Sequence, residues 1–228
     1  MQNKRILITG ASKGLGAVAA HAFAERGACL ALIARSEDKL EQVRQSCKDP
    51  ERHVIIPVDL IKMNAIEPAI QKVQAFLGGI DVVLHAAGGG LGLKDDFLKH
   101  EDFMKLFALN LGAAVEINRL VAPAMKERCS GNLVHVGSIA SSEGVGSVGY
   151  NTVKAALAAY VRSLGRELNR NNVIATGILP GGFISPGNAM SRLQEFNPAA
   201  YKAFIDERLP RKIMGDAEEL IPMLVLLC

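Results

Sequence analysis

Residues 9–16, Thr-Gly-Ala-Ser-Lys-Gly-Leu-Gly, form a glycine-rich stretch near the start of this chain. They follow a short apolar run, Arg5–Thr9, and they open an alanine-rich helical stretch, Leu15–Arg26. Glycines between a strand and a helix let the backbone approach a pyrophosphate closely, and the amino end of the helix attracts its negative charge. The spacing is G-x-x-x-G-x-G rather than the common G-x-G-x-x-G. Taken alone, these glycines are also compatible with a plain structural turn.

Along the rest of the chain, short apolar runs alternate with longer amphipathic segments. Strands are predicted at Arg5–Thr9, Ala28–Ala34, His53–Val58, Ile80–Ala86, Asn132–Val136 and Val173–Leu179. Helices are predicted at Leu15–Arg26, Glu37–Cys47, Ala65–Leu77, Phe103 to about Lys126, Tyr150–Leu168 and Asp216–Leu227, and Pro198–Leu209 is a short amphipathic piece. Short strands that are apolar on both faces and separated by helices predict a doubly wound α/β fold with a parallel sheet, the Rossmann fold. We expect one domain over residues 1–228, with the irregular segment of about 182–214 as a substrate lid.

Composition and charge exclude several classes of protein. Hydrophobic residues make up 49% of the chain and charged residues 21%, which excludes intrinsic disorder. The 26 basic and 23 acidic residues give a net charge of only +3, so we expect no nucleic-acid partner. The 4 cysteines form no C-x-x-C pair or His-rich cluster, which predicts reduced thiols and no metal site. Neither a signal peptide nor a membrane helix is recognisable, so we expect a cytoplasmic protein without a membrane partner.

The end of the second predicted strand indicates which dinucleotide fits the glycine-rich turn. NAD sites commonly place an acid there for the ribose 2′-hydroxyl, whereas this strand is followed by Arg35 and Ser36. Arginine suits a 2′-phosphate, and Lys13 can approach the same group from the turn. These cations predict a preference for NADP(H), with NAD(H) as the alternative. Glu37 and Asp38 follow closely, but acids suit the start of the next helix, and Arg35 could also be a solvated loop charge.

Three further residues form a pattern suited to proton transfer. Ser138 follows the fifth predicted strand, and Tyr150 and Lys154 lie one turn apart on the same face of a helix. A free tyrosine titrates near pH 10, and a nearby ammonium should lower its pKa by favouring the phenolate. Ser138 can hydrogen-bond a substrate oxygen. The three residues therefore predict hydride transfer at a carbonyl, with Tyr150 as the acid or base. A tyrosine–lysine pair by itself would more often be a solvated helix face.

Through these motifs the chain resembles the classical short-chain dehydrogenases/reductases over essentially its whole length. Residues 9–16 are similar to the family's T-G-x-x-x-G-x-G turn. Asn110, Ser138, Tyr150 and Lys154 match the family's active-site tetrad. The resemblance implies that Asn110 supports a water that relays protons to Lys154, and that Lys154 also binds the nicotinamide ribose.

The resemblance extends to segments that surround the cofactor in the family. Asp59 matches an aspartate that contacts adenine, and Pro180-Gly181 matches a motif near the nicotinamide. His85-Ala86-Ala87-Gly88 stands where the family has N-N-A-G, so His85 is expected near the cofactor. Ser185 could replace the usual threonine that holds the carboxamide, although the extra Gly182 disturbs that alignment. In full, the expected cofactor-binding residues are Gly10, Ser12, Lys13, Gly14, Leu15, Gly16, Arg35, Ser36, Asp59, Leu60, Ala87, Gly88, Tyr150, Lys154, Pro180 and Gly181.

The resemblance implies an NADPH-dependent oxidoreductase that acts on a carbonyl or alcohol substrate. The segment 212–220 is similar to that of 3-oxoacyl-acyl-carrier-protein reductases, but relatives with other substrates share it, so the substrate stays open. A non-catalytic dinucleotide-binding sensor or scaffold is the alternative, and the intact tetrad argues against it. The alanine-rich stretch Ala155–Ala159 implies a homodimer or homotetramer, since such helices form oligomer contacts in the family.

The length of the chain adds one expectation. Members of the family normally follow the last helix, Asp216–Leu227, with a seventh strand, whereas this sequence ends at Cys228. The difference is about 20 residues, roughly one strand and its loop. We therefore expect that the final strand is absent from this chain through truncation or disorder, with the sixth strand left at an edge of the sheet.

Overall fold

A six-stranded parallel sheet lies at the centre of the protein, in a computed structural model that describes residues 1–228. Its strands are β1 (Arg5–Thr9), β2 (Cys29–Ala34), β3 (Val54–Pro57), β4 (Val82–His85), β5 (Gly131–Val136) and β6 (Val173–Ile178). They follow the order β3-β2-β1-β4-β5-β6, so β3 and β6 are the edge strands. The order reverses between β1 and β4, where doubly wound folds bind their ligands. The predicted Rossmann fold is confirmed.

Helices cover both faces of this sheet. They are α1 (Gly14–Glu25), α2 (Glu37–Ser46), α3 (Ile66–Leu77), α4 (His100–Phe107), α5 (Ala113–Glu127), α6 (Val148–Leu168), α7 (Ala189–Phe196), α8 (Pro198–Arg208) and α9 (Ile221–Leu227). None of them is long and apolar enough to cross a membrane.

The core has two apolar layers, one on each face of the sheet. Ile6 and Ile8 of β1 pack into the layer formed with α1, α2 and α9. Leu7, between them, packs into the opposite layer with residues of α3 and α5. Successive side chains of a strand point to opposite faces, so a strand covered on both sides must be apolar at every position. This explains why the strands appear in the sequence as uninterrupted apolar runs.

The structure differs from the sequence-based prediction mainly in two segments. The helix expected from Phe103 is divided into α4, a π turn at Ala108–Gly112 and α5. The lid segment, residues 182–214, contains two helices, α7 and α8, and α8 coincides with the amphipathic piece Pro198–Leu209. Near its start, β7 (Phe183–Ile184) pairs in parallel with β8 (Gly215–Asp216), which follows the segment. The boundaries of the sheet strands and of α1, α2, α3 and α6 agree with the prediction to within two residues.

The last predicted helix also begins differently. Asp216 caps it as expected, because its side chain accepts the Glu218 N–H at 3.0 Å and the Glu219 side chain accepts the Asp216 N–H at 3.0 Å. This reciprocal capping box satisfies backbone groups at the start of a helix. The first turn, Ala217–Leu220, is however a 3₁₀ turn, and the α-helix starts only at Ile221.

Candidate active site

The glycine-rich turn joins the end of β1 to the start of α1. Gly10 has a φ of +70°, and a Cβ at this position would lie 2.8 Å from the Ala87 backbone. A Cβ at Gly16 would lie 2.5 Å from the Gly10 carbonyl oxygen. These two glycines are therefore needed for close packing of the turn itself and of the turn against the segment after β4. At Gly14, by contrast, only Ser185 Oγ would lie within 4 Å of a Cβ, at 3.6 Å.

The amino end of α1 carries donors suited to an anion. Lys13 is its cap residue, but its side chain makes no capping hydrogen bond. The Gly14 N–H donates to the Pro186 carbonyl at 3.1 Å, so the lid segment rests directly on the turn. The first N–H groups of a helix have no partner within it, and its dipole favours negative charge there. Leu15 and Gly16, which follow, are buried in the first turn.

Ser138 lies just after β5, and its hydroxyl can donate a hydrogen bond. Its Oγ accepts the Ala140 N–H at 3.1 Å, which fixes the side chain at the start of a 3₁₀ turn. A hydroxyl can accept and donate at the same time, so the Ser138 O–H can still donate. Ser138 also faces the phenol of Tyr150, whose pKa is raised by burial and lowered to a smaller extent by this serine.

Lys154 is buried one helical turn beyond Tyr150, and only 4% of it is exposed. Its Nζ donates to the Val136 carbonyl at 3.0 Å and lies 5.7 Å from the centroid of the Tyr150 ring. Burial lowers the pKa of Lys154 to about 8. The sequence predicted that this ammonium lowers the pKa of Tyr150. In the structure the pKa of Tyr150 is raised instead, because burial of the phenol outweighs the lowering effect of Ser138.

Asn110 lies in the π turn between α4 and α5. Its Oδ1 accepts the Gly89 N–H and its Nδ2 donates to the Gly89 carbonyl, both at 3.0 Å. Nδ2 also donates to the Leu106 carbonyl at 3.0 Å, so both amide hydrogens are used. A Cβ at Gly88 would lie 2.9 Å from Asn110 Oδ1 and 3.3 Å from Lys154 Nζ. The asparagine therefore holds the segment after β4 against the buried lysine.

The segment after β6 lies next to Ser138. The Pro180 carbonyl accepts the Ile139 N–H at 3.1 Å, and a Cβ at Gly181 would be 3.8 Å from Ile139 Cδ1. Further along, Ser185 is 4% exposed, and its Oγ is the one buried side-chain oxygen or nitrogen without a hydrogen-bond partner. An unpaired buried hydroxyl costs free energy unless a ligand satisfies it. Its position beside Gly14 places it at the glycine-rich turn.

The residues expected around the adenosine half occupy the ends of β2 and β3. Arg35 and Lys13 are exposed, and neither forms an ion pair. Ser36 is the cap residue of α2 but makes no side-chain capping bond. Asp59 Oδ1 accepts the Ile61 N–H at 3.2 Å and so shapes the turn after β3. Leu60, beside it, is buried in the core layer with α3 and α5.

A buried polar network behind the site was missed by the sequence analysis. His85 Nε2 lies 2.8 Å from Asn118 Oδ1, and Asn118 Nδ2 lies 3.2 Å from His135 Nε2 and 3.1 Å from the Tyr160 hydroxyl. The two imidazoles are stacked, with ring centroids 4.5 Å apart. His135 Nδ1 bonds to the Thr176 carbonyl at 3.1 Å. The apolar strands around both histidines predicted burial, but no local pattern signals partners that are distant in sequence.

Comparison with known proteins agrees with this geometry. Residues 4–195 match the family model described as short chain dehydrogenase. The ketoacyl reductase HetN of Nostoc sp. is 32% identical over 186 residues, which are 79% of this chain and 64% of HetN. The 3-ketodihydrosphingosine reductase of Mus musculus is 34% identical over 194 residues, which are 81% of this chain and 58% of that protein. The matched part thus spans less than two thirds of either relative.

A solved structure shows the same architecture. L-Sorbose reductase from Gluconobacter frateurii, crystallised with NADPH and L-sorbose, superposes with a TM-score of 0.87 at 26% identity. The superposition covers 100% of this chain and 90% of that one. Fold, site geometry and sequence thus agree, and the chain belongs to the short chain dehydrogenase family of oxidoreductases.

Proposed function

We propose that this protein is an NADPH-dependent oxidoreductase that transfers hydride between the nicotinamide and a carbonyl or alcohol substrate. The observation that carries the proposal is the placement of Tyr150. Its half-buried phenol faces a serine whose O–H can donate, and a buried lysine lies one helical turn away. This set of groups can exchange one proton with a substrate oxygen.

The residues around the glycine-rich turn fit a dinucleotide. Ser185 Oγ is buried beside Gly14 without a partner, and the side chain of Lys13, the cap residue of α1, makes no capping hydrogen bond. Lys13 and Arg35 supply positive charge that no acid neutralises. A bound nicotinamide cofactor supplies the hydride. The residues that would hold it are those at the turn, the cations that follow β1 and β2, and the segments after β4 and β6.

Tyr150 is the proton donor in the direction of reduction. Its raised pKa keeps the phenol protonated at neutral pH, which a general acid requires. Ser138 donates its free O–H to the same substrate oxygen and so stabilises the charge that develops there. Lys154 adds positive charge near the phenol ring. Asn110 is a positioning residue here, because its side chain is engaged with Gly89.

Tyr150→Phe tests the proposal directly. The variant removes the proton donor and keeps the ring, so we expect carbonyl reduction to fall by at least about a hundredfold, as is typical of lost acid catalysis. A panel of ketones and aldehydes, followed by NADPH oxidation, first identifies a working substrate. Binding of NADPH, measured by fluorescence, should be retained. If reduction survives with NADPH still bound, Tyr150 is not the acid.

The same panel separates the enzyme from a non-catalytic sensor or scaffold. A sensor would bind NADPH and turn over none of the carbonyl compounds. The intact set of Asn110, Ser138, Tyr150 and Lys154 favours the enzyme, since a protein without catalysis has no need to bury a lysine beside a phenol. We further propose that the lid segment covers the substrate and selects it.

A further inference from the structure

Four cations gather at the outer side of the glycine-rich turn. Lys13 belongs to the turn, Arg35 follows β2, Lys39 lies in α2, and Arg192 lies in α7 of the lid segment. The last three all lower the pKa of Lys13, after burial as the largest cause, so their charges lie close to it. None of the four forms an ion pair. Like charges held together without a counter-charge repel each other, which favours binding of an anion between them.

Arg192 differs from the other three because the lid segment brings it to the turn. The lid is fastened there by the hydrogen bond from the Gly14 N–H to the Pro186 carbonyl. The next residue, Gly187, has a φ of +71°, and a Cβ on it would lie 3.3 Å from Lys13 Cδ. Arg192 Nη1 donates to the Gly187 carbonyl at 2.5 Å. The short segment 186–188 therefore lies between Arg192 and Lys13 and keeps the two side chains close together.

The remaining donors of Arg192 are available to a ligand. A guanidinium carries five N–H groups, and only one hydrogen bond to protein is formed. Two other cations of the lid segment are engaged elsewhere. Lys202 pairs with Asp206 at 2.7 Å, and Lys212 donates to the Asp206 carbonyl. Arg192 is thus the lid cation that is both close to Lys13 and free of an acid.

We propose that Arg192 is a specificity-determining residue that binds the 2′-phosphate of NADP(H) together with Lys13 and Arg35. Planar guanidinium groups are well suited to binding phosphate oxygens. The guanidinium of Arg192 belongs to the lid segment. Binding of the phosphorylated dinucleotide would then add a contact between the cofactor and the lid segment that the unphosphorylated one does not make. The inference rests on the proposed function and extends it, since it links cofactor choice to the state of the lid.

Nucleotide fragments isolate the phosphate from the rest of the cofactor. Adenosine 2′,5′-bisphosphate carries the 2′-phosphate and 5′-AMP lacks it, so calorimetry with both separates its contribution. We expect Arg192→Gln to weaken binding of the bisphosphate by about tenfold and to leave 5′-AMP within about twofold. Arg208→Gln, which removes an exposed charge from α8, is the matched control and should change neither. Arg192→Lys should recover part of the loss.

The outcomes distinguish this inference from the proposed function. If Arg35→Ala weakens the bisphosphate but Arg192→Gln does not, NADP(H) preference stands and the role of Arg192 is wrong. If neither Arg35→Ala nor Lys13→Ala affects the bisphosphate, the cofactor preference fails, and the inference fails with it. Hydrogen exchange gives a second measurement. NADPH should protect the amides of residues 186–196 more than NADH does, and Arg192→Gln should abolish that difference; equal protection in the unmodified protein would overturn the link to the lid.

Discussion

Burial shifts the pKa values of two side chains of the site, Tyr150 and Lys154, in opposite directions. Burial raises the pKa of Tyr150 and lowers that of Lys154 to about 8. A phenol with a raised pKa stays protonated throughout the neutral and mildly alkaline range, so it cannot cause a loss of reduction there. The ammonium of Lys154, in contrast, is lost as the pH rises through about 8. The two groups therefore act on different parts of the pH profile.

We expect kcat/KM for carbonyl reduction to fall as the pH rises above about 8, by up to about tenfold per pH unit, because this quantity follows the free enzyme. Lys154→Arg is the matched variant, since an arginine side chain keeps its charge over this range. Its activity can be lower overall, but the decrease near pH 8 should disappear. A wild-type profile that is flat up to pH 9.5 would contradict the role of the Lys154 charge.

At the scale of elements, α5 and α6 form an open groove on the outside of the molecule. The groove has a volume of about 580 Å³ and is lined by residues that include Val115, Ala122, Tyr160 and Leu164. Ala155 and Ala159 of α6 are exposed. Small side chains let two helices approach closely, and apolar surface in a groove favours association. These features support the proposal of a homodimer or homotetramer formed through α5 and α6.

Ala159→Glu places a charge on this face without touching the core. We expect the variant to sediment as a monomer, because the carboxylate would be buried without a partner in the contact. Gln71→Glu, at an exposed position of α3, adds the same charge on another face and should leave the oligomer unchanged. Analytical ultracentrifugation over a range of concentrations measures both. A wild-type protein that is monomeric at all concentrations would refute the proposal.

Across the whole molecule, the sequence predicted the features that depend on a local pattern of residues, namely the strands and the spacing of the site residues. The six strands and their parallel arrangement follow from apolar runs such as Leu30–Ala34, which both layers of helices require. Their spacing identified Ser138, Tyr150 and Lys154, the resemblance added Asn110, and the structure brings the first three to one end of the sheet. The π turn at Asn110 could not be predicted, since it depends on hydrogen bonds to Gly89 across the fold. The approach of Arg192 to Lys13 likewise depends on how the lid segment folds back.

The hydrogen-bond network of the buried histidines was also beyond sequence reasoning, and it affects the stability of the entire fold. Their network joins β4, β5, β6, α5 and α6. The Thr176 carbonyl can only accept, so His135 Nδ1 carries the hydrogen and Nε2 accepts from Asn118. This arrangement requires a neutral His135. Burial accordingly lowers the pKa of His135 to about 4 and lowers that of His85 well below its usual value.

We therefore expect the free energy of unfolding to decrease as the pH falls from about 6.5 toward 4. In this range the unfolded chain binds protons at His85 and His135 and the native chain does not, so acid favours unfolding. Each histidine contributes at most about 1.4 kcal/mol per pH unit. Urea denaturation at pH 7.5 and pH 5 measures the decrease, which His85→Asn should reduce because asparagine does not titrate. His100→Asn, at the exposed start of α4, is the control and should leave it unchanged. An equal decrease in the wild type and the His85→Asn variant would mean that His85 binds its proton equally in the folded and unfolded chains.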